Sequence, residues 1–179
     1  MKKEIRVIGI DDAPFDKFKD NEVLLVGVIV RCKRRLIEGV LSRKIERDGD
    51  DASEKIISMI KNSKFKEQIK VIFLHGTTFG GLNLIDLNDV YSNLKIPIIA
   101  VLRRKPNVVE VRNALIKAGK EEKTKLLKDG FEKFRKFYIK AIGIKENELS
   151  ELFEDGVYAL RVAHLIGSGI IKGESRGRL

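Results

Sequence analysis

Val71–Pro106, VIFLHGTTFGGLNLIDLNDVYSNLKIPIIAVLRRKP, most constrains the fold, because its apolar spacing changes period twice within one unit. Val71–Leu74 and Ile98–Leu102 are short, almost wholly apolar and rich in β-branched residues, the mark of parallel strands covered on both faces. Between them Leu84, Ile85, Leu87, Val90, Tyr91 and Leu94 recur every three or four positions, which predicts a helix of about three turns. The result is a βαβ unit. Ligands of such units gather beyond the carboxyl ends of the strands, so His75–Gly81 and Arg103–Lys105 are the first places to look for function.

The flanking chain extends this unit into a mixed sheet. Glu4–Ile10 alternates and ends in Asp11-Asp12-Ala13-Pro14, so a first strand delivers two carboxylates at its carboxyl end before Pro14 stops it. Glu22–Arg31 predicts a central strand and Arg34–Arg47 a third with charged ends; their short connections favour an antiparallel meander. Ala52–Lys61 predicts a short helix capped by Ser53 or Asp51. After Pro106, Val108–Ala118 reads as a helix, and Lys120–Lys133 as a lysine-rich stretch burying Leu126, Leu127 and Phe131. Phe137–Ile144 is ambiguous between strand and helix. Glu146–Phe153 and Tyr158–Ile171 predict two closing helices, and Gly173–Leu179 a loose arginine-bearing tail. Three antiparallel strands, then helix, strand, helix, strand and terminal helices, is the order of an α/β ribonuclease H-like fold: a mixed sheet flanked by helices, in a single domain over residues 1–179.

Charge narrows the function. The net charge is +10, and residues 101–140 alone hold 13 basic and 5 acidic side chains. A positive field beside the suspected ligand edge suits a polyanion such as DNA or RNA. A lysine- and glutamate-rich surface is also the solvated coat of many proteins from hot-living organisms. No apolar run approaches a bilayer span and the amino terminus lacks a signal-peptide core, so the expected location is cytoplasmic. Cys32 is the only cysteine, which excludes an internal disulfide and a cysteine-based zinc cluster.

The motifs IGIDDAPF, HGTTFGGLNLIDL, IPIIAVLRRKP, RVAHLIGSGI and GESRGR resemble an archaeal family, number ninety-nine among the domains of unknown function, that is similar to endonuclease V. Endonuclease V cuts nucleic acid near deaminated purines with magnesium held by carboxylates. The resemblance places its first-strand aspartate on Asp11 and its second metal-binding aspartate on His75. LIEGVLSRKIE resembles the region of its catalytic glutamate and sets Ile45 at that position, with Glu46 one residue on. Its lysine at the end of the later parallel strand falls on Arg103 and its histidine on Ile144, while the prolines and tyrosine of its strand-separating wedge have no counterpart.

This gives Asp11 and Glu46 as candidate catalytic residues, and Asp11, Asp12 and His75 as candidate ligands for a divalent ion, magnesium or manganese. Imidazole in place of a carboxylate favours manganese or zinc over magnesium, which prefers hard oxygen ligands. Magnesium-dependent cleavage of inosine-containing strands is therefore expected to be weak. Asp12 also suits a turn, Asp86 a cap shared with Asn83, and His164 a satisfied core or interface histidine. Thr77, Thr78, Gly80 and Gly81 form either an anion cradle before a helix or a tight turn that needs glycine. Arg103 and Arg104 add phosphate contacts or a solvated basic rim. The reading favoured is a nucleic-acid-binding protein with an eroded metal site; the alternative is an active metal-dependent nuclease with altered ligands. A small phosphorylated-ligand enzyme stands behind both, since no Walker or Rossmann fingerprint accompanies the glycines.

Overall fold

The first strand is the axis of the molecule. In the computed structural model, which describes residues 5–127 and 130–176, β1 (Arg6–Asp12) lies between an antiparallel neighbour, β2 (Glu22–Arg31), and a parallel one, β4 (Ile69–Leu74). β3 (Leu36–Glu46) completes the meander, and β7 (Ile98–Leu102) runs parallel to β4. β9 (Phe137–Ile142) and the edge strand β8 (Glu132–Phe134) close a seven-stranded sheet of order β3-β2-β1-β4-β7-β9-β8. The mixed sheet and flanking helices have the expected ribonuclease H-like organisation.

Strand alternation divides the core in two. Ile8, Ile10, Leu25, Ile29 and Leu74 face α1 (Ala52–Lys61) and α2 (Leu87–Leu94). Val7, Val26, Val28, Phe73 and Val101 face α4 (Glu146–Lys172), where the Phe153 ring meets Phe134, Phe137 and Phe73 edge-on at 4.9, 5.5 and 6.4 Å. α3 (Val108–Lys117) and a 3-10 helix (Glu121–Leu126) connect β7 to β8. No helix among the described residues is long and apolar enough to cross a membrane.

Several elements differ from expectation, each for a local reason. The third strand begins at Leu36, not Arg34, because Lys33 and Arg35 turn through left-handed φ angles of 68° and 49°. The helix of the βαβ unit has eight residues; Leu84 belongs to a small hairpin, β5 (Thr78–Phe79) with β6 (Asn83–Leu84), whose apolar residues mimic helical spacing. The ambiguous segment is strand β9, paired with β7. The two closing helices are one helix of 27 residues. Asp155 lies between the two expected helices, and its carboxylate accepts from the Lys33 amide at 3.1 Å and from Arg35, so its burial is compensated. Neighbouring Cys32 is buried, and burial beside Asp155 pushes its thiol up to about 12. Leu126 is exposed instead of buried, while Phe131 packs on the core. Glu4 and the tail beyond Arg176 lie outside the described residues.

Candidate functional site

Pleat parity assembles the site. Asp11 shares the α4 face of the sheet with Gly9 and Val7, and two-residue steps from Phe73 and Val101 carry His75 and Arg103 to that same face. All three stand at the carboxyl ends of the adjacent parallel strands β1, β4 and β7. Over them lies α4, brought close by small residues. A methyl group added at Gly9 would stand 2.5 Å from the main chain at Ala159 and Leu160, one at Gly156 2.3 Å from the Phe73 ring, and one at Gly167 3.0 Å from the Ala13 side chain. This close approach delivers His164 to the first strand.

The centre is a buried carboxylate held by two imidazoles. Asp11 is 2% exposed. Its Oδ1 lies 3.0 Å from His75 Nδ1 and its Oδ2 3.1 Å from His164 Nδ1, and the Asp12 amide donates to Oδ1 at 3.0 Å. With Asp11 ionised, each imidazole donates through Nδ1, so a neutral ring keeps the Nε2 lone pair and a protonated ring an Nε2 proton. The hydrogen bond to Asp11 holds His75 above the ordinary imidazole range, reinforced by the charges of Asp11 and Asp12 and opposed by burial and Arg103. His75 and His164 side chains remain 37% and 30% exposed, so the carboxylate is enclosed while both rings reach solvent.

Asp12 follows the opposite parity. Its Oδ2 accepts the Gly80 amide at 2.8 Å, yet burial still lifts its carboxyl from 3.8 to about 6. The glycine loop is thus tied into the protein. Gly80 donates to Asp12, Leu82 donates to Asp48 at 2.8 Å, and the Gly80 carbonyl accepts from the Asp48 amide. Thr77 uses its carbonyl to accept from Ile85, and Thr78 belongs to β5. Gly80 and Gly81 adopt φ of 50° and 88°, and Asp48 Oδ1 lies where a Gly81 side chain would begin. The next helix is separated from these residues by β6 and is capped by Asp86, which accepts from Asn88 and Asp89. Asn83 serves α1 instead: its Oδ1 accepts the Ala52 amide at 3.0 Å and its amide group donates to Asp51 and to the Glu46 carbonyl.

Glu46 is not brought to Asp11. It lies on β3, two strands away and four residues along the register, roughly 15 Å by sheet geometry, and is exposed. Ile45 beside it is buried against Gly80. Arg103 and Arg104 are exposed at the end of β7, with Arg103 close enough to His75 to oppose its protonation. Part of the lysine-rich segment is neutralised locally. Asp50 receives Lys120 at 3.0 Å and Lys123, whose hydrogen bond is the main reason its carboxyl sits below the ordinary range. His164, expected as a satisfied core or interface histidine, is satisfied by Asp11 at the ligand edge. The Gly156-to-Gly167 spacing of small residues marks a helix face pressed close to the sheet but does not point to the histidine's partner.

The candidate ligands Asp11, Asp12 and His75 do not fit a divalent ion as arranged. Both Asp11 oxygens accept imidazole hydrogen bonds, Asp12 engages Gly80 on the other face, and no group of three or more His, Cys, Asp or Glu among the described residues is disposed to hold an ion. Magnesium requires near-octahedral oxygen donors, which this set does not supply.

The model of one protein family, described as endonuclease dU, matches residues 3–171. The chain belongs to the endonuclease dU family. Archaeal relatives support that membership. The UPF0215 protein of Archaeoglobus fulgidus is 39% identical over 185 residues, covering 98% of this chain and 99% of its own, and that of Methanothermobacter thermautotrophicus is 36% identical over 190 residues, covering 99% and 93%. The crystal structure of a protein of unknown function from Archaeoglobus fulgidus superposes with a TM-score of 0.82 at 38% identity, over 94% of this chain and 99% of that one. The catalytic domain of human endonuclease V superposes with a TM-score of 0.54 at 13% identity, over 90% and 80%, a likeness of fold. This endonuclease dU family member is therefore endonuclease V-like in architecture.

Proposed function

We propose that this chain is a nuclease that hydrolyses a phosphodiester of a deoxyuridine-containing DNA strand at the His75–Asp11–His164 centre. The observation that carries the reading is the enclosed Asp11 carboxylate with an imidazole on each oxygen. An ionised group this buried is costly unless compensated, and here its partners are two partly exposed acid–base side chains rather than inert packing. The family description supplies the substrate class, and the exposed Arg103 and Arg104 beside His75 supply a site for the flanking phosphate.

The chemistry divides between the rings. Water forms the new bond to phosphorus and passes its proton to Nε2 of His164, while His75, held towards its protonated form, gives its Nε2 proton to the departing strand oxygen. The products are one phosphate monoester end and one hydroxyl end. Asp11 orients both rings and stabilises whichever is charged. A divalent ion, magnesium or manganese, has no step here because the donors do not fit one.

The test is incubation of an end-labelled strand carrying one deoxyuridine with chelator, with magnesium and with manganese. Wild-type protein should cleave in chelator, and Asp11→Asn and His164→Gln should each lose about a hundredfold or more of the rate with unchanged circular dichroism. Binding without cleavage under all three conditions would overturn the nuclease and leave the nucleic-acid-binding reading. Cleavage that needs manganese and survives His164→Gln would overturn the two-histidine roles.

A further inference from the structure

Phe18 is 92% exposed, the most exposed large apolar side chain among the described residues. Scattered surface apolar residues need no explanation by themselves. This one differs in how it is held and where. It occupies the turn between β1 and β2, six positions beyond Asp12, so it lies within about 20 Å of the Asp11 centre and at the same end of the sheet.

The turn is built to display it. Pro14 stiffens the approach, and Phe15 tucks into the core on the α1 side, anchoring the base. The Phe18 amide donates to Asp16 Oδ1 at 2.8 Å, the Asp16 amide to Asp20 Oδ2 at 2.7 Å, and the Asp20 amide to the Asp16 carbonyl at 2.9 Å. Both carboxylates thereby engage the turn's own amides. Phe18 faces outward between the exposed Lys17 and Lys19, beside the exposed Asp16, one of whose carboxylate oxygens is taken by the Phe18 amide. An aromatic face flanked by two cations is the chemistry that receives an unpaired base and its neighbouring phosphates, because every base offers a π-face and each phosphate an anion.

We propose that the Asp16–Asp20 turn is a base-stacking element, with Phe18 taking one base of the bound strand and Lys17 and Lys19 the adjoining phosphates. This rests on the nucleic-acid reading of the Asp11 centre and adds a contact which that reading does not require. A strand crossing the centre reaches the turn within about six nucleotide steps at 3.4 Å each.

The experiment uses full-length protein and a short DNA duplex carrying one deoxyuridine, with 2-aminopurine placed in turn at each of several flanking positions. Binding is followed by anisotropy and unstacking by 2-aminopurine emission. Wild-type protein should brighten the probe at one flanking position. Phe18→Ala should abolish that brightening and weaken binding about tenfold or more, whereas Phe18→Trp should restore both. Phe18→Ala should leave the salt slope of binding unchanged, and Lys17→Ala with Lys19→Ala should lower it by about 1 to 2. Wild-type binding that Phe18→Ala leaves within about twofold, with the probe signal intact, overturns the stacking element alone. No wild-type binding at low salt overturns it together with the reading on which it rests. Concentration-dependent self-association abolished by Phe18→Ala, without any effect on DNA, reassigns the turn to a contact between copies of the chain.

Discussion

Asp12→Asn should make the protein more stable at neutral pH. In the folded chain burial holds the Asp12 carboxyl at about 6 instead of its ordinary 3.8, although the Gly80 amide and His75 pull it down. A folded value above the unfolded one means that the unfolded chain releases the proton first. Stability is therefore full below the ordinary carboxylate range, falls as pH rises from about 4 to about 6, and stays reduced above it. The gap corresponds to about 3 kcal/mol of stability withheld at neutral pH, at about 1.4 kcal/mol per tenfold change in proton affinity. Asparagine keeps an oxygen for the Gly80 amide and removes the charge. Urea, being uncharged, is the suitable denaturant: the variant's midpoint should exceed that of the wild type by about 1 M or more near pH 8 and match it near pH 4. Equal midpoints at both values, or a variant that is less stable near pH 8, would refute the claim that Asp12 is ionised at a cost.

Two further outcomes follow from geometry. Gly9→Ala should destabilise the protein by about 1–3 kcal/mol or more, because its methyl would stand 2.5 Å from the α4 main chain and a backbone cannot yield as a side chain can; an unchanged urea midpoint would show that α4 is not seated as described. Replacing Arg103 and Arg104 together by Ala should lower the salt slope of DNA binding by about 2 and weaken all sequences alike, since phosphate contacts position without specifying; a changed base preference at constant slope would refute the phosphate role.

The meander and the parallel pair were legible because their β-branched runs are bounded by short polar turns, and a run such as Glu22–Arg31 has few alternatives. The position of Asp11 was legible for the same reason, since a buried strand that ends in two carboxylates delivers them to the carboxyl-end edge of the sheet. The hairpin after His75 was not, since Leu84, Ile85 and Leu87 satisfy a helical period while Asn83 and Asp86 take polar roles that depend on α1 and α2. Glu46 was proposed from a short likeness in the chain, but position on a strand fixes only which face a side chain takes, not how many strands stand between it and its partner. His164 was legible only as a satisfied core or interface histidine, not as the partner of Asp11. No local pattern separates a ligand-edge histidine from a core one in the middle of a helix; what decides is the register of α4 on β1, set by Gly9, Gly156 and Gly167 meeting residues far away in the chain.

That register has a consequence for synthesis. Asp11 is polymerised 153 residues before His164, the partner of its second oxygen. While the chain is still being translated, Asp11 and His75 are made before His164, but the face of the sheet that carries Val7, Phe73 and Val101 stays uncovered, and the other carboxylate oxygen has no imidazole, until α4 has emerged and docked. A nascent or prematurely terminated chain lacking α4 thus carries the carboxyl-end edge of the sheet without the completed Asp11 centre, so whatever that centre does is postponed until the last long helix is in place.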